Sequence, residues 1–338
     1  MRRLPLRPLA SAAALTGLGL AQPVLAQSVS INYASLSTLE EPIAFRSGQT
    51  TVVLNGLVDG GARINFDTRN LIDPVVTGVV ANGQATIESE LGNRWTVGAS
   101  YFGQYDTYAR TYRANSVGFI RTSWGSFIGG NVAGLIREDT RRRRGFGNGI
   151  LAYDDFIGTN ARWGGVYRVV NGPFVSGLMV DQEGNVEIGT VYQRPYGTHD
   201  IRWSARVRHA RTRDAAGRRR FTTTGGIAVA DLTYGSSIYD LGLGYERIAG
   251  LGLSLDRWFA SAGARTKILG WTMSLEGHVG TIDGSPEYAA AAGLGYAISR
   301  GLSANLGFNL RDANVVRGGI PVLVGTDQSA AFSVRYSY

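Results

Sequence analysis

Along this 338-residue chain apolar and polar side chains alternate one by one, segment after segment, to the last residue. Val52, Leu54, Gly56, Val58, Gly60, Ala62, Ile64 and Phe66 form one apolar or small set. Asn55, Asp59, Arg63, Asn65 and Asp67 lie between them, with Thr51, Val53 and Leu57 in the same phase. Neighbouring side chains of a strand point to opposite faces, so this segment has one greasy and one wet side. Trp95, Val97, Ala99, Tyr101 and Tyr105 likewise oppose Thr96, Ser100, Gln104 and Asp106. Ile201, Trp203, Ala205 and Val207 oppose Arg202, Ser204, Arg206 and Arg208. Near the end, Leu302 to Leu310 and Phe332 to Tyr338 repeat the pattern against Ser303, Asn305, Asn309 and Arg311, and against Ser333, Arg335 and Ser337.

Sixteen strands can be read in this way. They begin near Thr51, Gln84, Arg94, Ala114, Ser126, Ala161, Pro173, Asn185, Asp200, Thr222, Ile238, Leu251, Trp271, Tyr288, Gly301 and Gln328. Connections after even strands are tight, as at Gly92-Asn93, Asn171-Gly172 and Ser299-Arg300. Those after odd strands include long ones: Thr68 to Gly83, Gly134 to Asn160, Arg211 to Phe221 and Asp312 to Asp327. Short turns at one end and long loops at the other suit an antiparallel transmembrane β-barrel with an even strand count. A soluble sandwich also alternates, but its strands are shorter and its charged face lies outside. Aromatic residues at strand ends supply interfacial girdles for the barrel: Phe66, Trp95, Tyr105, Trp203, Tyr234, Tyr245, Trp258, Trp271, Tyr288, Phe308 and Tyr338.

The first 26 residues read as an export leader. Arg2, Arg3 and Arg7 precede an apolar stretch from Leu9 to Leu20, and Val24-Leu25-Ala26 offers a cleavage site. Beyond Ala26 no segment approaches the roughly 20 apolar residues of a membrane-spanning helix. Only a closed barrel could then satisfy the backbone in lipid. Residues 27–49 read as an N-terminal periplasmic extension, with Glu40-Glu41-Pro42 exposed, and residues 50–338 as the barrel.

Cysteine is absent, which excludes a disulfide framework and thiolate metal sites. Without the three leader arginines the chain keeps 31 basic residues against 26 acidic, a net +5, and Lys267 is its single lysine. That balance could suit nucleic acid, but the leader directs the chain elsewhere and the arginines alternate along strands instead of forming one patch.

The chain resembles the Gram-negative outer-membrane porin family at three places. The end, Phe332-Ser-Val-Arg-Tyr-Ser-Tyr338, is similar to the terminal-strand signal read by barrel assembly machinery, with tyrosine in place of the usual final phenylalanine. The hairpin from Gly118 to Gly130 resembles the strand-turn-strand that precedes the family's long third loop. Gly134 to Asn160 then stands where that loop is expected. The resemblance implies a sixteen-stranded, usually trimeric barrel in the bacterial outer membrane, a passive channel for ions and small hydrophilic solutes, with the third loop folded inward.

Sixteen strands enclose a lumen too wide for wall side chains to fill. The third loop carries Arg137, Glu138, Asp139, the run Arg141, Arg142, Arg143 and Arg144, then Asp154 and Asp155. On the wall, Asp59, Arg63, Glu88, Glu90, Arg202, Arg206, Arg208, Arg311 and Arg335 fall in the inward phase. Opposed rows of charge select ions by their field. The family pattern puts acids on the loop and bases on the wall; here four arginines sit on the loop. With a net positive chain, weak anion preference is expected. The expected partners of the run are Asp59, Glu88 and Glu90, or Asp154 and Asp155.

Catalysis has little to build on. His199, His209 and His278 are far apart, and Ser274, Glu276 and His278 share a face only because strand residues alternate. No cofactor motif or metal-ligand spacing stands out. Two classes remain: a passive channel, and a non-conducting barrel serving as adhesin, receptor or scaffold.

Overall fold

The computed structural model describes residues 29–31, 42–66, 75–143, 145–151, 154–157, 163–213, 219–250, 252–317 and 320–337. The leader, Glu40, Glu41, Arg144 and Tyr338 lie outside the described residues.

All strands belong to one antiparallel sheet. Two short ones come first, β1 (Val29–Ile31) and β2 (Ile43–Ser47). The barrel then runs β3 (Thr50–Asn65), β4 (Val75–Glu90), β5 (Thr96–Asp106), β6 (Thr111–Thr122), β7 (Gly125–Asn131), β8 (Trp163–Asn171), β9 (Phe174–Asp181) and β10 (Val186–Tyr196). It continues β11 (His199–Arg213), β12 (Arg219–Tyr234), β13 (Ser237–Gly250), β14 (Leu253–Ile268), β15 (Trp271–Ile282), β16 (Ser285–Ser299), β17 (Leu302–Arg317) and β18 (Ile320–Ser337). Each of β3 to β17 pairs with its successor. β18 returns to β3, from Ser329 opposite Asn65 to Ser337 opposite Leu57. Sixteen strands therefore close, and closure removes the unpaired edges that lipid cannot satisfy.

The lengths of the connections differ from expectation. β4 starts at Val75 and β18 at Ile320, so most of Thr68 to Gly83 and Asp312 to Asp327 is strand. Arg211 to Phe221 is likewise mostly strand. Val75, Val76, Val79 and Val80, like Ile320, Val322, Leu323 and Val324, are apolar in both phases, so alternation had nothing to mark. Ladder pairing decides instead. Between the described barrel strands the third connection, 132–162, is the longest.

Residues opposite one another in register share a face. Gly189, Arg206, Ile227, Gly244, Phe259, Gly280 and Glu287 form one inward row across seven strands. On the other phase Trp203 is 57% and Val207 59% exposed, whereas Arg206 is 4% exposed. The expected aromatic residues from Phe66 to Phe308 point outward; Tyr245 stacks on Trp258 with ring centroids 4.3 Å apart. At the short-turn end Trp95, Trp124, Phe127 and Tyr167 form a continuous chain of ring contacts.

β2 pairs with Thr50–Leu54, the part of β3 that β18 does not reach. Both are antiparallel to β3, so β2 continues the column of β18 in the same direction. Residues 43–47, expected outside the barrel, are thus part of its sheet. Buried apolar residues occur where the third loop lies on the inner wall: Phe156 on Ile227, Val229 and Phe259, and Leu151 on Ala289 and Ala291.

Candidate functional site

The third connection leaves β7 at Val132, which packs with Ile136 on Val166 and Met179. This apolar foothold on β8 and β9 seats a single short helix, α1 (Leu135–Thr140). Beyond α1 the chain runs along the inside of the wall. Ser204 Oγ on β11 donates to the Thr140 carbonyl (2.7 Å), and Arg202 Nη2 donates to the carbonyls of Asp139 (2.6 Å) and Arg141 (3.0 Å). The Phe146 amide donates to Ser274 Oγ on β15 (2.8 Å). Gly149 presses so closely on β16 that a Cβ there would sit 2.0 Å from the Ala292 carbonyl oxygen. Farther round, Asn148 Nδ2 donates to Ser333 Oγ on β18 (3.0 Å), and Asn309 Nδ2 on β17 donates to the Asn148 carbonyl (2.8 Å). The loop therefore touches inner-wall groups from β8 to β18, and Asn148 borders Asp59 and Arg63 on the inner face of β3.

Charge fixes this path. Arg142, 3% exposed, places Nε 2.9 Å from Asp240 on β13 and Nη2 on Glu276 of β15. Glu276 also accepts from the Leu151 amide (3.1 Å). Asp155 is held between Arg137 of α1 and Arg206 of β11, and Arg206 also binds Glu187 (2.9 Å). Burial alone would raise the Asp155 carboxyl; Arg206 and then Arg137 outweigh it and hold the group below the usual carboxylate range. Arg257, fully buried, donates to the Asp155 carbonyl (2.8 Å) while pairing with Glu246 (2.7 Å) and Glu287 (2.8 Å). Glu246 in turn accepts from the Ile157 amide (3.0 Å). Charges taken out of water persist only when paired, and these pairs hold the loop and wall together.

The anticipated residues thus meet different partners from those expected. The arginine run does not act as a unit. Arg141 pairs with Glu138 (2.5 Å) and is exposed to the lumen; Arg142 is buried in the wall; Arg143 donates to Thr233 Oγ1 (2.9 Å). The wall acids named for the run are engaged elsewhere or remote. Asp59 pairs with Arg335 (2.5 Å), Glu88 with Arg121 (2.9 Å), and Glu90 is exposed at the short-turn end. Of the loop acids, Asp155 joins Arg137 and Arg206, Asp139 pairs with Arg168 (2.8 Å), and Asp154 is buried. Arg202 binds Asp231, and Arg208 reaches toward the Ile157 carbonyl (3.4 Å). Arg311 stands on the inner face opposite Ala289, and Arg63 is exposed there. Asp231, Asp240, Glu246, Arg257 and Glu287 were missed, although each lies in the inward phase of its strand, the one signal that could have found them.

Ser274, Glu276 and His278 serve three separate contacts. His278 instead lies between Ser261 Oγ (2.8 Å from Nδ1) and Glu287 Oε1 (3.0 Å from Nε2). A serine, histidine and acid in such a chain can in principle make a nucleophile. Here Ser261 and His278 are each 2% exposed, and Glu287 is shared with Arg257. The chain steadies the carboxylate that holds Arg257. Among the described residues no group of three or more potential ligands could hold a metal ion.

A closed sixteen-stranded antiparallel barrel with a long loop laid against its inner wall has the porin-type outer-membrane fold. No family model matches the sequence, and no curated protein matches it either. Solved structures do match. OmpT, an outer membrane protein of Vibrio cholerae, in its trimer form, aligns with a TM-score of 0.65 at 10% identity, over 86% of this chain and 100% of that one. An anion-selective porin from Comamonas acidovorans aligns with a TM-score of 0.60 at 14% identity, over 86% and 100%. A mutant of the Rhodopseudomonas blastica porin gives 0.57 at 14%, over 85% and 100%. At these identities the likeness is one of fold.

Proposed function

We propose that this chain is a porin, a passive water-filled channel for ions and small hydrophilic solutes across the bacterial outer membrane, weakly preferring anions. The supporting observation is the state of the charges that face open lumen. Asp59, Glu88, Glu138 and Asp139 each have an arginine partner. Arg63 and Arg113 stand exposed on the inward phase of β3 and β6, and neither makes an ion pair among the described residues. Asp106 shares a recess with Arg63 and offsets it there, so the positive excess on this side rests on Arg113, and positive charge draws anions. The preference is weak because the paired charges cancel at a distance. On this reading the third loop narrows the lumen, with Glu138, Asp139 and Arg141 at its border and Arg142 and Asp155 as fixings.

The protein acts without catalysis, is exported by residues 1–26, and is assembled as a homotrimer after its last strand is read by barrel assembly machinery. The resemblance to porins and the alignment to a trimer form support the assembly. Reconstituted in planar bilayers, it should give stable, ohmic conductance steps. A correctly folded protein that never conducts would be a scaffold or adhesin instead.

A further inference from the structure

Where β18, β3 and β4 meet, the inner wall has a recess that the pairing network leaves open. It is lined by Ala62 of β3, Val80 of β4 and Ala331 of β18. On one side stand Asp59 and Arg63; on another, Ser333 of β18 and Asn148 at the tip of the third loop. The connection between β5 and β6 folds in over the top. The Thr107 amide donates to the Val79 carbonyl (3.0 Å), the Val79 amide to Thr107 Oγ1 (2.6 Å), and the Ala109 amide to Asp106 Oδ1 (3.0 Å). These bonds set the Tyr108 ring against Gly78, where a Cβ would lie 2.8 Å from Tyr108 Cγ, and leave the tyrosine half-buried. The recess has a volume of about 300 Å³ and opens to the lumen.

The lining has a definite chemical character. Arg63 and Arg335 offset Asp59 and Asp106, so the recess has no net charge. A guanidinium, a carboxamide, a phenol and a hydroxyl supply donors, and all but the guanidinium also supply acceptors. Burial first, and Asp59 next, raise the Tyr108 phenol above its ordinary value against the pull of Arg63, so it stays a neutral donor. One aromatic face adds an apolar surface with little mobility. Small-molecule sites span about 300–1,000 Å³, which puts this one at the size of a single ring.

We infer that this recess is a binding subsite for a neutral monosaccharide, with Tyr108 against the apolar face of the sugar ring and Arg63, Asp106 and Asn148 on its hydroxyls. This rests on the channel reading above. A subsite of modest affinity would make sugar flux saturable, where a plain pore gives flux proportional to concentration.

The test uses the full chain in planar bilayers, with conductance in potassium chloride measured first. D-glucose and D-galactose are then added, with D-mannitol as an acyclic control of similar hydroxyl content and D-gluconate as a charged one. The inference expects a saturable fall in current with the hexoses and a weaker, linear one with mannitol. Y108A should raise the half-blocking concentration about tenfold, the factor that follows from losing about 1.4 kcal/mol of ring contact. R63Q, at an exposed position, should raise it as well, which keeps the test open should Y108A misfold. Equal, linear effects of hexoses and mannitol would overturn the subsite while leaving the channel standing. Stronger saturable block by gluconate would overturn the neutral-sugar assignment. Block unchanged in both folded variants would place binding elsewhere. No conductance before any sugar is added would overturn the channel reading itself.

Discussion

Arg142 carries more of the architecture than its place in a run of four arginines suggests. Its guanidinium joins the third loop to two strands at once through Asp240 and Glu276. Arg142→Ala would leave both carboxylates buried without their cation, and breaking a buried pair from one side costs about 3–5 kcal/mol. The expected result is a loop freed from the wall: noisier single-channel current, and new protease sites between residues 134 and 160, with the barrel still folded. Arg141→Ala, at a lumen-exposed pair, should leave the loop seated. Asp155 gives the pH dependence. Its folded value is lowered, so its contribution to docking is complete above the unfolded aspartate value of about 3.9 and disappears as pH falls through the lower folded value. Current should therefore stay quiet from neutral pH to about 4 and become noisy only in stronger acid. Asp155→Asn should be noisy already at neutral pH, because Arg137 and Arg206 lose their shared counter-charge; a quiet variant would contradict the role given to the pair.

At the scale of elements, the strands were legible because lipid and water sort side chains by phase. The wet phase holding Arg202, Arg206 and Arg208 and the greasy phase holding Trp203, Ala205 and Val207 lie as alternation requires. Cysteines at 203, 205 and 207 should resist water-soluble thiol reagents and react with lipid-soluble ones. Legibility ended where both phases were apolar, as in Val75 to Val80, and where partners were remote. Nothing near Arg142 in sequence points to Glu276, which is 134 residues away, and only the closing of the barrel brings them together. The seam was illegible for the same reason. β2 covers the edge of β3 below the end of β18, so removing residues 28–47 exposes that edge. At about 0.5–1.5 kcal/mol for each hydrogen bond lost, the heat-induced mobility shift on a gel should move to lower temperature. An unchanged transition would show that β2 contributes nothing to closure.

For the whole molecule, the proposed selectivity rests on a few unpaired charges rather than on net charge. Among the described residues, eleven arginines are paired with carboxylates, the most buried of them where the third loop meets the wall. On the proposed reading, exposed Arg113, and Arg63 beside Asp106 and the tip of the third loop, act on passing ions. The most direct test is the zero-current potential across a potassium chloride gradient, measured on the wild type and on a protein carrying Arg63→Gln and Arg113→Gln. The wild type should conduct with a modest potential of the sign that marks chloride as the more permeant ion. The double variant should conduct equally well with its potential moved toward cation preference. A wild-type potential of the opposite sign, or one that the two substitutions leave unmoved, would contradict the account.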